Sequence, residues 1–153
     1  PLFPVDGRQI ITSKEALDLT DIPTNLLIVG AGVEGCEFAS LYSGMGTRVT
    51  LVELMPRILP LEDEEIANFM ARELKKRGVE ILTGTTIEKV ERQDGAIKAV
   101  LKDGTALAAE KLLVSVGRGF NSKGIGLRSA DARRSLSTSG WKRMCRGSMR
   151  SAM

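Results

Sequence analysis

The chain has 153 residues, 42% apolar and 4% aromatic, with a formal charge of +3. That length suits one globular domain with a sizeable core, and the scarcity of aromatics argues against a base-stacking platform for nucleic acid. No apolar run nears the roughly 20 residues of a membrane span. The absence of histidine and the wide separation of Cys36 and Cys145 argue against a zinc site or a disulfide framework, so no metal and a reducing, cytoplasmic compartment are expected.

The chain opens on Pro1, as expected of a cut into a longer protein. Residues 1–24 read as a connecting arm, in which Ser13 can cap a short helix over 13–19. "NLLIVG", residues 25–30, is a short apolar run suited to a buried parallel strand. Residues 33–45 have helical spacing, with Phe38, Leu41, Tyr42 and Met45 on one face and Gly46 as terminator. "RVTLVE", 48–53, is a second strand. The proline-marked "MPRILPLEDEE" leads to a helix started by Asp63 and running to residue 77. Its acids come first and "KKR" last, as the helix dipole favours. Gly78 ends it, and "VEIL", 79–82, is a third strand. This β-α-β-α-β order, with short returns, builds a parallel doubly wound sheet.

The pattern then changes. "TTIEKVERQ", "AIKAVLK" and "TALAAEKLLVSVG" are short strands joined by Asp-Gly turns, an antiparallel meander. Its last apolar run, 112–116, can return to the parallel sheet. The expected fold is α/β: a Rossmann-like, three-layer domain with a parallel sheet plus an antiparallel β-meander. After about Leu127 the periodicity stops, and the Ser/Arg-rich segment 128–153 reads as an irregular, disordered tail. Asp131 is its one acid, so the pI of 9.1 belongs to the tail and does not indicate a nucleic-acid-binding domain.

Gly30, Gly32 and Gly35 form GxGxxG directly after a strand and at the opening of a helix. That context makes the motif a dinucleotide-binding signal. Gly30 permits the tight turn, Gly32 lets a pyrophosphate approach the backbone, and Gly35 lets helix and strand pack closely. The free N–H groups and the dipole at the helix start then attract the anion. Glu53 ends the second strand about 20 residues on, where a carboxylate accepts from both ribose hydroxyls and repels a 2′-phosphate. It favours NAD over NADP, a preference that nearby Arg57 can soften. Without a ligand the same residues would be a glycine turn and an exposed glutamate.

The remaining residues of this stretch are weaker signals. Glu34 sits in the first helical turn, where its charge suits the dipole and is expected to point away from the pyrophosphate. By spacing alone, Glu37 is a solvated helix residue. Cys36 lies where a thiol pKa can fall, yet it has no partner cysteine or histidine and reads as a packing residue.

"TSKEALDLTDIPTNLLIVGAGVEGCEFAS", "GTRVTLVELMPRILPLEDEE", "ELKKRGVEILTGTTIEKVE" and "LLVSVGRGFNSKGIGL" recur here in an order specific to one family. Over residues 1–127 the chain resembles the NAD-binding domain of the FAD-dependent pyridine nucleotide-disulfide oxidoreductases, most of all the dihydrolipoamide dehydrogenases. The resemblance implies cofactor contacts from Gly30, Ala31, Gly32, Val33, Glu34, Gly35, Cys36 and Glu37. Among these, Glu37 meets the nicotinamide end and Val33 lies beside the nicotinamide–flavin contact. Glu53 matches the ribose-binding acid, Ile87 the adenine side, and Gly117 a backbone contact to the nicotinamide half. Arg118 belongs to the Gly117 motif. The related glutathione reductases carry basic residues after the second strand, suited to NADP.

The resemblance further implies an FAD domain before this one and a dimerisation domain after it. The first would carry its own GxGxxG and a redox CxxxxC pair, the second a His-Glu pair. It also implies a homodimer working with a 2-oxo acid dehydrogenase or glycine cleavage complex. This sequence carries neither CxxxxC nor histidine, so no catalytic residue is assigned to it. It is expected to be a fragment: an arm (1–24), an NAD-binding domain (25–127) and a tail (128–153) of the kind a truncation or altered reading frame produces. The expected function is to hold NAD while FAD serves elsewhere in the complete enzyme. Alternatives are a domain of another disulfide reductase such as mercuric reductase, an S-adenosylmethionine-binding methyltransferase, and a non-catalytic remnant.

Overall fold

The computed structural model describes residues 3–93 and 95–117. The expectation for the 128–153 tail lies outside those residues, as do Arg118 and Cys145. The elements are β1 (Ile10–Ile11), α1 (Ser13–Leu17), β2 (Asn25–Val29), α2 (Val33–Gly44), β3 (Arg48–Glu53), α3 (Glu64–Lys76), β4 (Glu80–Thr83), β5 (Ile87–Gln93), β6 (Ala96–Leu101), β7 (Ala106–Ala109) and β8 (Lys111–Val114). A parallel five-stranded sheet has the order β1-β8-β2-β3-β4, and β5-β6-β7 form a separate antiparallel sheet.

Successive strand residues point to opposite faces, and here both faces are apolar. Ile11, Leu26, Ile28, Val49, Leu51 and Leu113 join the core beneath the helices. Ile10, Leu27, Val29, Val52 and Leu112 face the other way, against Ile87, Ile97, Ala99, Leu101 and Ala109 of the meander. The parallel sheet is therefore the middle of three layers, as expected. Each fully buried large aliphatic side chain contributes about 1.5–3 kcal/mol. Parallel neighbours need a long crossover, commonly a helix. Between β4 and β8 the meander supplies it, carrying the chain from one side of β2 to the other.

Helix α2 buries Phe38 and Tyr42 of the face its large apolar residues suggest, but not Leu41 and Met45. Gly35, Cys36, Phe38, Ala39 and Tyr42 are buried, whereas Leu41 and Met45 remain 48% and 42% exposed. The smallest residues decide the rotation. A Cβ on Gly35 would fall 1.9 Å from the Gly30 carbonyl oxygen, so only a glycine lets the helix lie this close to the β2 turn. Tyr42 completes the contact by donating its hydroxyl to the Ala16 carbonyl at 2.6 Å. Helix α3 starts where expected, with the Asp63 side chain accepting from the Glu65 and Ile66 N–H groups.

The arm does more than connect. Ile10 and Ile11 are buried and pair with Leu112 and Leu113 as an edge strand. Two residues are too few to show a period. Upstream, the Asp6 carboxylate accepts from the N–H groups of Arg8, Gln9 and Ile10 and pairs with Arg92 at 3.2 Å. The N-cap of α1 is Thr12 rather than Ser13, and the helix ends at Leu17. Glu15 accepts from both the N–H and the hydroxyl of Thr12, which fixes that start. Among the described residues no helix is long and apolar enough to cross a membrane.

Candidate functional site

The carboxyl ends of β8, β2 and β3 meet at the point where strand order reverses, the usual ligand position in such sheets. The turn after β2 lies there. The Gly30 N–H donates to the Val52 carbonyl at 2.9 Å and the Ser115 N–H to the Val29 carbonyl at 2.8 Å, so both neighbouring ladders continue to the rim. Gly30 has φ +96°, and a Cβ there would fall 2.2 Å from the Ser115 carbonyl oxygen. Conformation and space together demand glycine.

Gly32 differs. It is the N-cap of α2 in an extended conformation open to any residue, and a Cβ on it would meet nothing within 4 Å. The fold itself does not require this glycine. The first helical hydrogen bond comes from the Cys36 N–H to the Gly32 carbonyl at 3.0 Å. Among the described residues, the N–H groups of Gly32, Val33, Glu34 and Gly35 have no protein partner, so a fan of donors opens at the positive end of the helix.

Glu53 flanks this fan and is far from an exposed glutamate. It is 9% exposed, with Oε2 accepting from the Ala31 N–H at 2.7 Å and Oε1 from the Met55 N–H at 2.8 Å. Charge-assisted bonds of this kind are strong, and each oxygen retains a further lone pair for a ligand hydroxyl. Ala31 is held from its other side as well, its carbonyl accepting from the Leu59 N–H at 2.7 Å. Leu59, at φ +47°, lies in the left-handed region uncommon for non-glycine residues. The Arg57 guanidinium donates to the carbonyls of Leu59, Pro60 and Glu62 at 3.0–3.1 Å. It holds the 54–62 loop.

The other sequence-derived residues divide. Val33 and Glu37 are exposed at the mouth. Glu34 is half-buried, and its Oε2 accepts from the Ser115 hydroxyl at 3.1 Å, so Ser115 rather than the donor fan holds it. Gly117 has φ +124°, and a Cβ there would meet no described residue within 4 Å. Cys36 is a packing residue: it is buried, its N–H is used inside the helix, and its thiol donates to the Ala31 carbonyl at 3.5 Å. Burial, then the charges of Glu53 and Glu37, push that thiol up to about 11. This is the opposite of an activated cysteine. Ile87 has no exposed surface and packs in the core between the two sheets, so it forms no wall of the cleft here. Ser115, Met55 and Leu59 are additions that no local pattern signals, because each acts through a partner brought near by the fold. Among the described residues no cluster suited to a metal ion occurs.

A family model described as pyridine nucleotide-disulphide oxidoreductase matches residues 2–137. The chain belongs to this family. Curated family members similar to it include the dihydrolipoyl dehydrogenases of Bacillus subtilis and Rhizobium etli. The first is 41% identical over 86% of this chain and 29% of that protein. The second is 40% identical over 80% of this chain and 26% of that protein. Among solved structures, LpdA from Mycobacterium tuberculosis superposes with a TM-score of 0.74 at 30% identity, covering 82% of this chain and 28% of that one. The HOCl-induced flavoprotein disulfide reductase RclA from Escherichia coli gives 0.70 at 30% identity, over 78% and 27%. The chain thus spans less than a third of the length of each of these four proteins. Its membership removes the ground for the methyltransferase alternative. It is a pyridine nucleotide-disulphide oxidoreductase domain similar to part of dihydrolipoyl dehydrogenase.

Proposed function

We propose that this domain binds NAD(H) and prefers it to NADP(H). The observation that carries the reading is the pairing of an unpartnered N–H fan at Gly32–Gly35 with the doubly anchored Glu53 carboxylate beside it. The residues fit the group. The open side of Gly32 admits a pyrophosphate against the backbone, and the fan with the helix dipole supplies positive potential. Glu53 is held in one orientation before any ligand arrives, so little ordering is lost when ribose hydroxyls donate to it. A 2′-phosphate in the same place would meet a buried negative charge.

The nicotinamide of NAD+ supplies a hydride acceptor; this chain supplies position and selectivity. In a complete dihydrolipoamide dehydrogenase-like protein, the electrons would come from a dihydrolipoamide dithiol through a protein disulfide and then FAD, both held by a separate domain. Such a protein would act as a homodimer within a 2-oxo acid dehydrogenase or glycine cleavage complex. The chain by itself is catalytically incomplete on this reading. Calorimetric titration with NADH and NADPH tests it. NADH should bind at least about tenfold more tightly, as a buried like charge demands. Equal affinities, or tighter NADPH, would overturn the role of Glu53. Lipoamide turnover by the chain alone would overturn its incompleteness.

A further inference from the structure

The carboxylate of Glu34 has no part in the reading above, yet the fold holds it at the other end of the same cleft. Glu53 marks the β3 side of the glycine turn. A dinucleotide with its adenosine ribose there and its pyrophosphate on the donor fan extends toward β8, on the other side of β2. What waits at that end is Ser115, the residue after β8, with Glu34 bonded to its hydroxyl at 3.1 Å. Ser115 is itself buried and continues the ladder to Val29, so the hydroxyl is a fixed donor. The sequence neighbours of the pair are two exposed valines, Val33 at 53% and Val116 at 64%. Beyond them Gly117 adds no side chain. The rim thus offers apolar surface to a flat ring and a positioned negative charge close by.

We infer that the Glu34–Ser115 pair sets the redox preference of the nicotinamide end, favouring the cationic ring of NAD+ over the neutral ring of NADH. The inference rests on the dinucleotide reading. A half-buried carboxylate attracts a nearby cation more strongly than one in bulk water does, while a neutral dihydronicotinamide gains nothing comparable. Ser115 is a positioning residue: its hydroxyl keeps the charge at the rim and off the N–H fan, where it would compete with the pyrophosphate. For the domain's reaction this bias would favour binding of the acceptor and release of the reduced product.

The test is the ratio of NADH to NAD+ dissociation constants, measured by calorimetry on the full chain and on Glu34→Gln, with ADP-ribose as a ligand lacking the ring. Glutamine retains an acceptor for Ser115, so the rim is preserved while the charge is lost. NAD+ binding should weaken by about three- to tenfold, an ordinary effect for one partly screened charge, with NADH and ADP-ribose shifting less than about twofold. Ser115→Ala should move the ratio in the same direction by less. An unchanged ratio with ADP-ribose still bound overturns this inference and leaves the dinucleotide reading standing. A ratio that responds to Glu37→Gln but not to Glu34→Gln also overturns it. Failure of ADP-ribose to bind overturns the dinucleotide reading, and this inference with it.

Discussion

The glycine turn has an inner and an outer side, and one motif serves both. Inside, Gly30 and Gly35 lie against backbone carbonyls so closely that a Cβ would fall 2.2 Å and 1.9 Å from an oxygen, and Cys36 is sealed beneath them. Outside, Gly32 meets nothing, Val33 and Glu37 are exposed, and the donor fan opens. Glu53 belongs to both sides, since its bonds to Ala31 and Met55 fix the turn and, on the proposed reading, its remaining lone pairs would accept from a ligand. On the proposed reading, the contrast predicts that a motif read as one binding signature contains residues whose loss damages the fold and others whose loss damages only recognition.

Paired glycine substitutions sharpen that division most. Gly35→Ala should lower stability by at least about 3 kcal/mol, because the helix must move off a backbone carbonyl that cannot yield. Urea denaturation followed by circular dichroism reads this directly. Gly32→Ala should stay within about 0.5 kcal/mol of the parent yet weaken NADH binding by about tenfold or more, its methyl occupying the pyrophosphate's approach. Comparable denaturation midpoints for the two variants would erase the distinction between inside and outside.

Next in size is Glu53→Ala. It strips the Ala31 and Met55 N–H groups of their acceptor and should cost about 2–3 kcal/mol, the usual range for losing charge-assisted bonds at a buried donor. It should also abolish discrimination between NADH and NADPH. Full stability with lost discrimination would move Glu53 wholly to the outer side.

The smallest effect is a pH dependence from the inner side. Cys36 has a folded pKa raised from 9.0 to about 11, chiefly by burial. A raised folded pKa means that the neutral thiol's contribution is fully present below pH 9.0 and lost as pH climbs toward about 11. Stability of Cys36→Ser should therefore fall less steeply across that window than stability of the parent. Parallel pH profiles for the two would show that the thiol is not confined as the structure has it.

Much of the fold was legible because the signals are local. Asp63, Gly46 and Gly78 mark helix ends by their own capping and backbone preferences, and Asp-Gly pairs mark the meander's turns. The apolar runs in 25–30 and 48–53 announce strands buried on both faces. Other features were not legible from the same residues. Leu41 and Met45 have the hydrophobicity of core positions, but close approach at Gly35 turned them outward. Ile10 and Ile11 needed β8 beside them before they could be a strand at all. Arg57 reads as a free cation in sequence and is consumed by three carbonyls in space.

By itself, the amino-acid order determined most of the segments that become helices and strands, the edge strand Ile10–Ile11 excepted, and it located the glycine fingerprint. Both depend on periods and spacings a few residues long. Only the tertiary structure decided which motif residues face inward and what holds each carboxylate. Glu53 finds Ala31 across 22 residues and Glu34 finds Ser115 across 81. Hydrogen-bond partners that far apart are chosen by how the layers pack, and no local preference encodes that.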